Sequence, residues 1–328
     1  MNNKGMAITT VIYSIILLLS LCMFLALGIL RSEYTNDKQY ILDLREELNN
    51  LLKGDEESYG VDKIIKQTGN KDNSGLYTIT HSKDTTLQIG NDKDIKEYRY
   101  RGANPKNYVT FNNEVWRIIG VFPVDDGNGN IENRIKLIRN ESIGDKYWDT
   151  SNLNNWSRAA TLNTELNTTY LNSLDSTSQN MIENTKYYLG GYKTTTIQKD
   201  VMYQYERKIN GSTYYYGSNP NSWVGKLGLM YASDYGYAVS DECTQNLYDY
   251  GNATCKNNNW LFKGNNEWLL PHTANGRSFA FVVYSDGHVY GNNVSNKQYG
   301  VRPVLYLISS VQITGGNGTI GSPYTLSI

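Results

Sequence analysis

Residues 5–30 run for 26 positions without Asp, Glu, Lys or Arg, between Lys4 and Arg31. As a helix this run is about 39 Å long, against the roughly 30 Å hydrocarbon layer of a bilayer. A cleaved secretory signal has a shorter apolar region of about 7–15 residues and a small-x-small cleavage site. Residues 6–30 are therefore expected to persist as a transmembrane helix behind a short cytoplasmic leader, residues 1–5. Beyond it, Ile41, Leu44, Leu48 and Leu51 recur at spacings of three and four. That stripe predicts an amphipathic stalk helix over 31–54, stopped by Gly54. Two separate helices with a bend near residues 32–37 fit the same pattern. The expected location is the cell membrane, single-pass, with lipid as partner of residues 6–30 and the C-terminal domain extracellular. Flanking charge barely sets the orientation, because Lys4 precedes the run and Arg31 and Lys38 follow it. The outward choice rests on low charge content and a cysteine pair.

"MNNKGMAITT" followed by a long apolar helix resembles the start of type IV pilins and pseudopilins. The resemblance implies leader cleavage between Gly5 and Met6 and self-association through the N-terminal helix. That family carries Glu at its fifth mature position, where this chain has Thr10. A permanent single-span anchor and a minor pilin-like subunit are the two readings of this segment.

Net charge is −1 and no basic stripe is present, which excludes phosphate-dominated nucleic-acid binding. Cys243 and Cys255 are the only cysteines outside the apolar run, which holds Cys22. An isolated pair closing a short loop reads as a disulfide, with two free thiols as the alternative. His81, His272 and His288 are scattered, and no metal-binding spacing or cofactor motif occurs. No metal and no cofactor are therefore expected.

Residues 55–95 are polar and Gly-punctuated, a linker or small β subdomain. From there "NYVTFNNEVWRIIGVF" reads as two strands around an Asn112-Asn113 turn. "WRIIGVFPV" and "RIKLIRNESI" form a second hairpin across residues 125–133. Asp126, Asn128 and Asn130 alternate there, but Ile131 and Leu137 occupy the places where a calcium loop needs Gly and Glu. Two helices are expected next: "WSRAATLNTELNTTYLNSL", capped by Ser157, and "STSQNMIENTKYYLGG", with Ser176 and Gln179 as a capping box and Gly190-Gly191 as the stop. A loop-rich stretch from 192 to 266 follows. Closing strands come last, with Asp286-Gly287 as a turn.

This order predicts an α+β fold with antiparallel sheets and two helices. The blocks "VWRIIGVF", "IKLIRNESIG", "YYLGG", "GKLGLMYASDYGYA", "CTQNLYDYGNATCKNNNWL", "EWLL" and "YGVRPVLYLISSVQITGGNGT" resemble an uncharacterised C-type-lectin-like surface domain of Gram-positive bacteria, over residues 96–328. The resemblance implies a scaffold whose first and last strands lie together and whose loops form a binding face. Calcium-dependent sugar binding is not expected, because the Glu-Pro-Asn and Trp-Asn-Asp motifs are missing. Trp223, Asp234, Tyr235, Tyr237, Trp260, His272, Asn275 and Arg277 are the candidate ligand-binding residues, with solvated loop or core pinning as the alternative. Trp116, Trp148, Trp156 and Trp268 are expected in the core. Arg302 is expected in a buried ion pair or backbone clamp. The functional expectation is a non-catalytic adhesion or binding module for a surface glycan or protein. The alternatives are the pilin-like subunit and an oxidase of the formylglycine-generating type, which would need Cys243 and Cys255 as a reactive pair.

Overall fold

The computed structural model describes residues 13, 16–25, 27, 37–38, 40–41, 44, 59–69 and 75–328. Internal contacts divide the chain into two units, Met1–Glu57 and Ser58–Ile328.

The long transmembrane and stalk helix expected from the sequence is not borne out. Among the described residues no helix is long and apolar enough to cross a membrane. The single-pass membrane assignment, with its extracellular C-terminal domain, falls with it. The leader, the Gly5–Met6 junction and most of the stalk lie outside the described residues.

The second unit begins with the helix Gly60–Ile65, which buries Val61 and Ile64. Strands β1 (Gly75–His81), β2 (Ile95–Arg101), β3 (Tyr108–Phe111), β4 (Glu114–Asp125), β5 (Ile131–Arg139) and β6 (Asp145–Lys146) come next. After the helical region come β7 (Thr185–Tyr188), β8 (Ser222–Gly225) and β9 (Leu227–Gly228). The chain closes with β10 (Glu267–His272), β11 (Phe279–Val283), β12 (Val289–Asn293), β13 (Tyr299–Gly300), β14 (Val304–Tyr306), β15 (Gln312–Gly315) and β16 (Thr325–Ser327).

The larger sheet runs β1-β2-β4-β5-β14-β9, with β3 also paired to β4. All its pairings are antiparallel. Strand β4 is its spine. Residues 116–122 are buried without interruption, the mark of a strand covered on both faces. Asn112 and Asn113 take positive φ (53° and 56°), the geometry a tight hairpin between β3 and β4 requires. Gly120 sits where a Cβ would lie 2.0 Å from the Tyr98 carbonyl oxygen, so only glycine lets β2 close on β4. The smaller sheet runs β12-β11-β10-β13-β6, parallel only between β10 and β13. Its edge strand β12 contributes to the candidate site.

Strand outweighs helix among the described residues, which corrects the expected balance of two substantial helices with the sheets. The first expected helix starts at Thr161, not near Ser157. Ala159 takes φ 60° and separates the short 3-10 turn Trp156–Arg158, capped by Asn155, from that helix. The helical run then changes pitch, with the α segments Thr161–Glu165 and Leu171–Ser173 flanking a π segment Leu166–Tyr170. The second helix is reduced to Ser176–Asn180 and capped by Asp175. Its expected second half, "TKYY", is β7. Tyr187 is fully buried against Trp223 and Tyr306, and pairing with β8 outweighs local helix propensity. Trp116, Trp148, Trp156 and Trp268 all lie in one continuous core.

Candidate functional site

Most of the loop aromatics and polar groups expected on a binding face are interior. Asp234 is fully buried. Its Oδ1 accepts from Arg99 Nη1 at 2.8 Å, and its Oδ2 accepts from Lys136 Nζ at 2.5 Å and the Tyr231 N–H at 2.9 Å. Burial alone would raise this carboxyl, but Lys136 and Arg99 outweigh it and hold it below the ordinary range. The network continues through Arg99 to Glu97, which also accepts from the Tyr203 hydroxyl at 2.8 Å and pairs with His81 at 3.2 Å. Beside it, Glu206 is raised by burial against the opposing pull of Arg207 and Ser233. These charges are paired and hydrogen-bonded away from solvent, as buried ions must be.

Tyr235 donates its hydroxyl to the Gly287 carbonyl at 3.0 Å. Tyr237 is buried beneath Arg99, whose guanidinium lies 4.9 Å from its ring centroid. Trp260 donates Nε1–H to the Tyr100 carbonyl at 2.8 Å and carries Arg117 over its ring at 4.6 Å. Trp223 is half-buried and wedged against Trp156 and Tyr187. Arg302 clamps Glu267 at 2.6 Å and the Leu261 carbonyl at 2.7 Å. His272 is buried at the end of β10. Its Nδ1 lies 3.1 Å from the Thr273 carbonyl, and its Nε2 has no partner. Burial pushes this imidazole down to about 4, against the smaller opposing effect of that carbonyl.

Asn275 and Arg277 alone among the eight are exposed. Both lie on the turn between β10 and β11, and Asn275 lines a cavity of about 260 Å³ together with Lys193, Thr194, Thr273, Gly276, Phe279, Phe281, Tyr290 and Gly291. Phe281 is buried and forms its floor. Gly291 keeps it open, since a Cβ there would lie 2.8 Å from Thr273 Cγ2. Phe279 (41% exposed) and Tyr290 (49%) stand at the opening. Tyr248 (44%) meets Tyr290 edge-on at 5.6 Å between ring centroids.

Several contacts hold the segment 192–197, which brings Lys193 and Thr194 to the cavity. The Ala274 N–H donates to the Tyr192 carbonyl at 3.2 Å, Thr195 Oγ1 donates to the Val289 carbonyl at 2.5 Å, and the Tyr248 N–H donates to the Thr195 carbonyl at 3.0 Å. Tyr248 belongs to the loop closed by the Cys243–Cys255 disulfide. The bridge expected from the sequence is thus present and helps place one of the three exposed rings.

No family model, curated protein or solved structure matches this chain.

The sequence reading missed Lys193, Thr194, Tyr248, Phe279 and Tyr290. One signal was available: in "SFAFVV", residues 279 and 281 share a face, and the first stands beside the turn already singled out. Nothing local links Lys193 or Tyr248 to that turn. The Asp126–Asn130 loop uses its oxygens internally: Asp126 Oδ1 accepts from the Asn128 N–H at 2.7 Å, and Asp126 Oδ2 accepts from Asn130 Nδ2 at 2.9 Å. No cluster of three or more metal-ligating side chains occurs among the described residues.

Proposed function

We propose that residues 58–328 form a non-catalytic recognition domain that holds a saccharide ring against Tyr290, with Phe279 and Tyr248 beside it. One observation carries this reading. Phe279 and Tyr290 are exposed together in the lining of a cavity whose other walls are the Phe281 ring, Lys193, and amide, hydroxyl and backbone groups, and exposed Tyr248 stands edge-on to Tyr290. Exposed rings stack on the C–H faces of sugars, and nearby amides and hydroxyls bond the sugar hydroxyls. The rings are presented by paired strands and a disulfide-closed loop, so little ordering entropy is lost on binding.

The C-type-lectin-like resemblance belongs to the same proposal. In its favour, the closing segment bridges an early strand, Tyr324 lying parallel to Val109 of β3. The Tyr324 N–H also donates to the Tyr108 carbonyl at 2.9 Å, beside β3. Cys243 and Cys255 are joined to each other and buried, which favours binding over thiol oxidation.

The test is a glycan array probed with the full chain and with Tyr290→Ala and Phe279→Ala. Both variants should lose at least about tenfold in affinity, the loss of roughly 1.4 kcal/mol of stacking, with thermal unfolding unchanged. A wild-type chain that binds no glycan, or variants that bind as well as wild type, would overturn the reading. Binding to protein arrays alone would reassign the site to a protein partner.

A further inference from the structure

The cavity has a chemical polarity that stacking does not use. Its lining contains one formal charge, Lys193, and no carboxylate. Lys193 is exposed and forms no ion pair among the described residues. Its ammonium stands 6.0 Å from the Tyr192 ring centroid. Around it stand several polar groups with unpaired donors. The Asn275 and Gly276 N–H groups and the Asn275 side chain bond no acceptor among the described residues, and the Thr194 hydroxyl meets only Thr196. Arg277, on the same turn, is exposed, and its guanidinium has no partner among the described residues. The other described arginines differ: Arg99, Arg101, Arg134, Arg139, Arg158, Arg207 and Arg302 each pair with a carboxylate, and Arg117 is buried over two aromatic rings. Asp286, two residues before His288, is already bonded to its imidazole at 2.6 Å.

We propose that the saccharide held here is acidic, with its anionic group seated at Lys193 and the Asn275–Gly276 turn while its ring packs on Tyr290. This rests on the recognition reading above and names the ligand class within it. Unpaired donors beside an unpaired cation favour an anion over a neutral hydroxyl, because hydrogen bonds to a charged acceptor are the stronger ones. Uronic, sialic, sulfated and phosphorylated sugars share this chemistry.

The experiment is an array of matched neutral, carboxylated, sulfated and phosphorylated oligosaccharides, with acidic peptides as controls. It is probed with the full chain, Lys193→Met, Lys193→Glu and Tyr290→Ala at low and high salt. Acidic glycans should bind at least about tenfold better than their neutral counterparts. That preference should vanish in Lys193→Met, reverse in Lys193→Glu and weaken with salt, while Tyr290→Ala lowers acidic and neutral binding together. The carboxylated, sulfated and phosphorylated arms identify the anion. Neutral glycans binding equally well, with loss in Tyr290→Ala and indifference to Lys193→Glu, would overturn the acidic assignment and leave the recognition reading standing. Acidic peptides binding in place of glycans, or no glycan binding at all, would overturn both. Lys193 is exposed, so loss of folding does not confound its variants.

Discussion

His272 should make this protein lose stability as pH falls through the mildly acidic range. The imidazole is buried at the end of β10, its Nδ1 facing the Thr273 carbonyl and its Nε2 without a partner. It forms no ion pair among the described residues, and the edge of Tyr215 packs against it at 6.3 Å. Protonation would place a second donor, and a charge, where nothing accepts them. The folded-state value is pushed from 6.5 down to about 4, so the unfolded chain takes up the proton first as pH falls. Stability from this group is therefore complete above about pH 6.5, declines between about 6.5 and 4, and levels off below. At about 1.36 kcal/mol per pH unit the full loss is roughly 3 kcal/mol, a large part of a typical stability of about 5–15 kcal/mol. Urea unfolding at several pH values between 7.5 and 4.5, on wild type and His272→Gln, reads this directly. The variant lacks the titrating ring, and the other ionisable groups are common to both chains, so the difference between the two curves isolates His272. Wild type should fall more steeply than the variant by up to roughly 3 kcal/mol, whatever the variant's starting stability. Parallel curves would refute the argument, as would an imidazole seen by NMR to titrate near 6.5 in the folded chain.

Asp234→Ala should destabilise by about 3–5 kcal/mol, because Lys136 and Arg99 would be left buried without their carboxylate; a normal melting temperature with lost glycan binding would instead return Asp234 to the ligand face. Cys243→Ser should lower stability by about 3 kcal/mol, the loop-closure value for a bridge of this span (sequence separation 12). It should also weaken glycan retention, because Tyr248 and its bond to Thr195 lie within or against that loop; retention equal to wild type would show that the bridge does not place the ring. Gly191→Ala should cost about 1–3 kcal/mol through overpacking, since its Cβ would lie 1.9 Å from the His272 carbonyl oxygen; a neutral result in thermal unfolding would show that the backbone yields there.

Features set by a few neighbouring residues were legible from the chain alone. The Asn112-Asn113 hairpin, the 126–130 loop and the turn with Gly287 at φ 101° each depend on local backbone preferences. The four core tryptophans and the Arg302 clamp could also be anticipated, because large rings and a charge set among apolar strand residues have few ways to be satisfied. Helix length could not. Capping and spacing favoured two continuous helices, but Ala159 interrupts one and β8, nearly forty residues downstream, takes half of the other as a strand partner.

The site divides along the same line. Asn275 and Arg277 were found because a polar turn before a strand is a local signature. For Asp234, Tyr235, Tyr237 and Trp260 the sequence left ligand contact and core pinning both open, and they are interior. The segments that bury them are distant in sequence: Arg99 lies 135 residues from Asp234, and Tyr100 lies 160 from Trp260. The cavity is likewise assembled from residues 193–194, 273–281 and 290–291. Local chemistry thus determined the turns, the disulfide and the residues that had to be covered. Tertiary packing alone decided which polar and aromatic groups were covered and which were left facing solvent, because burial depends on segments brought together by the whole sheet.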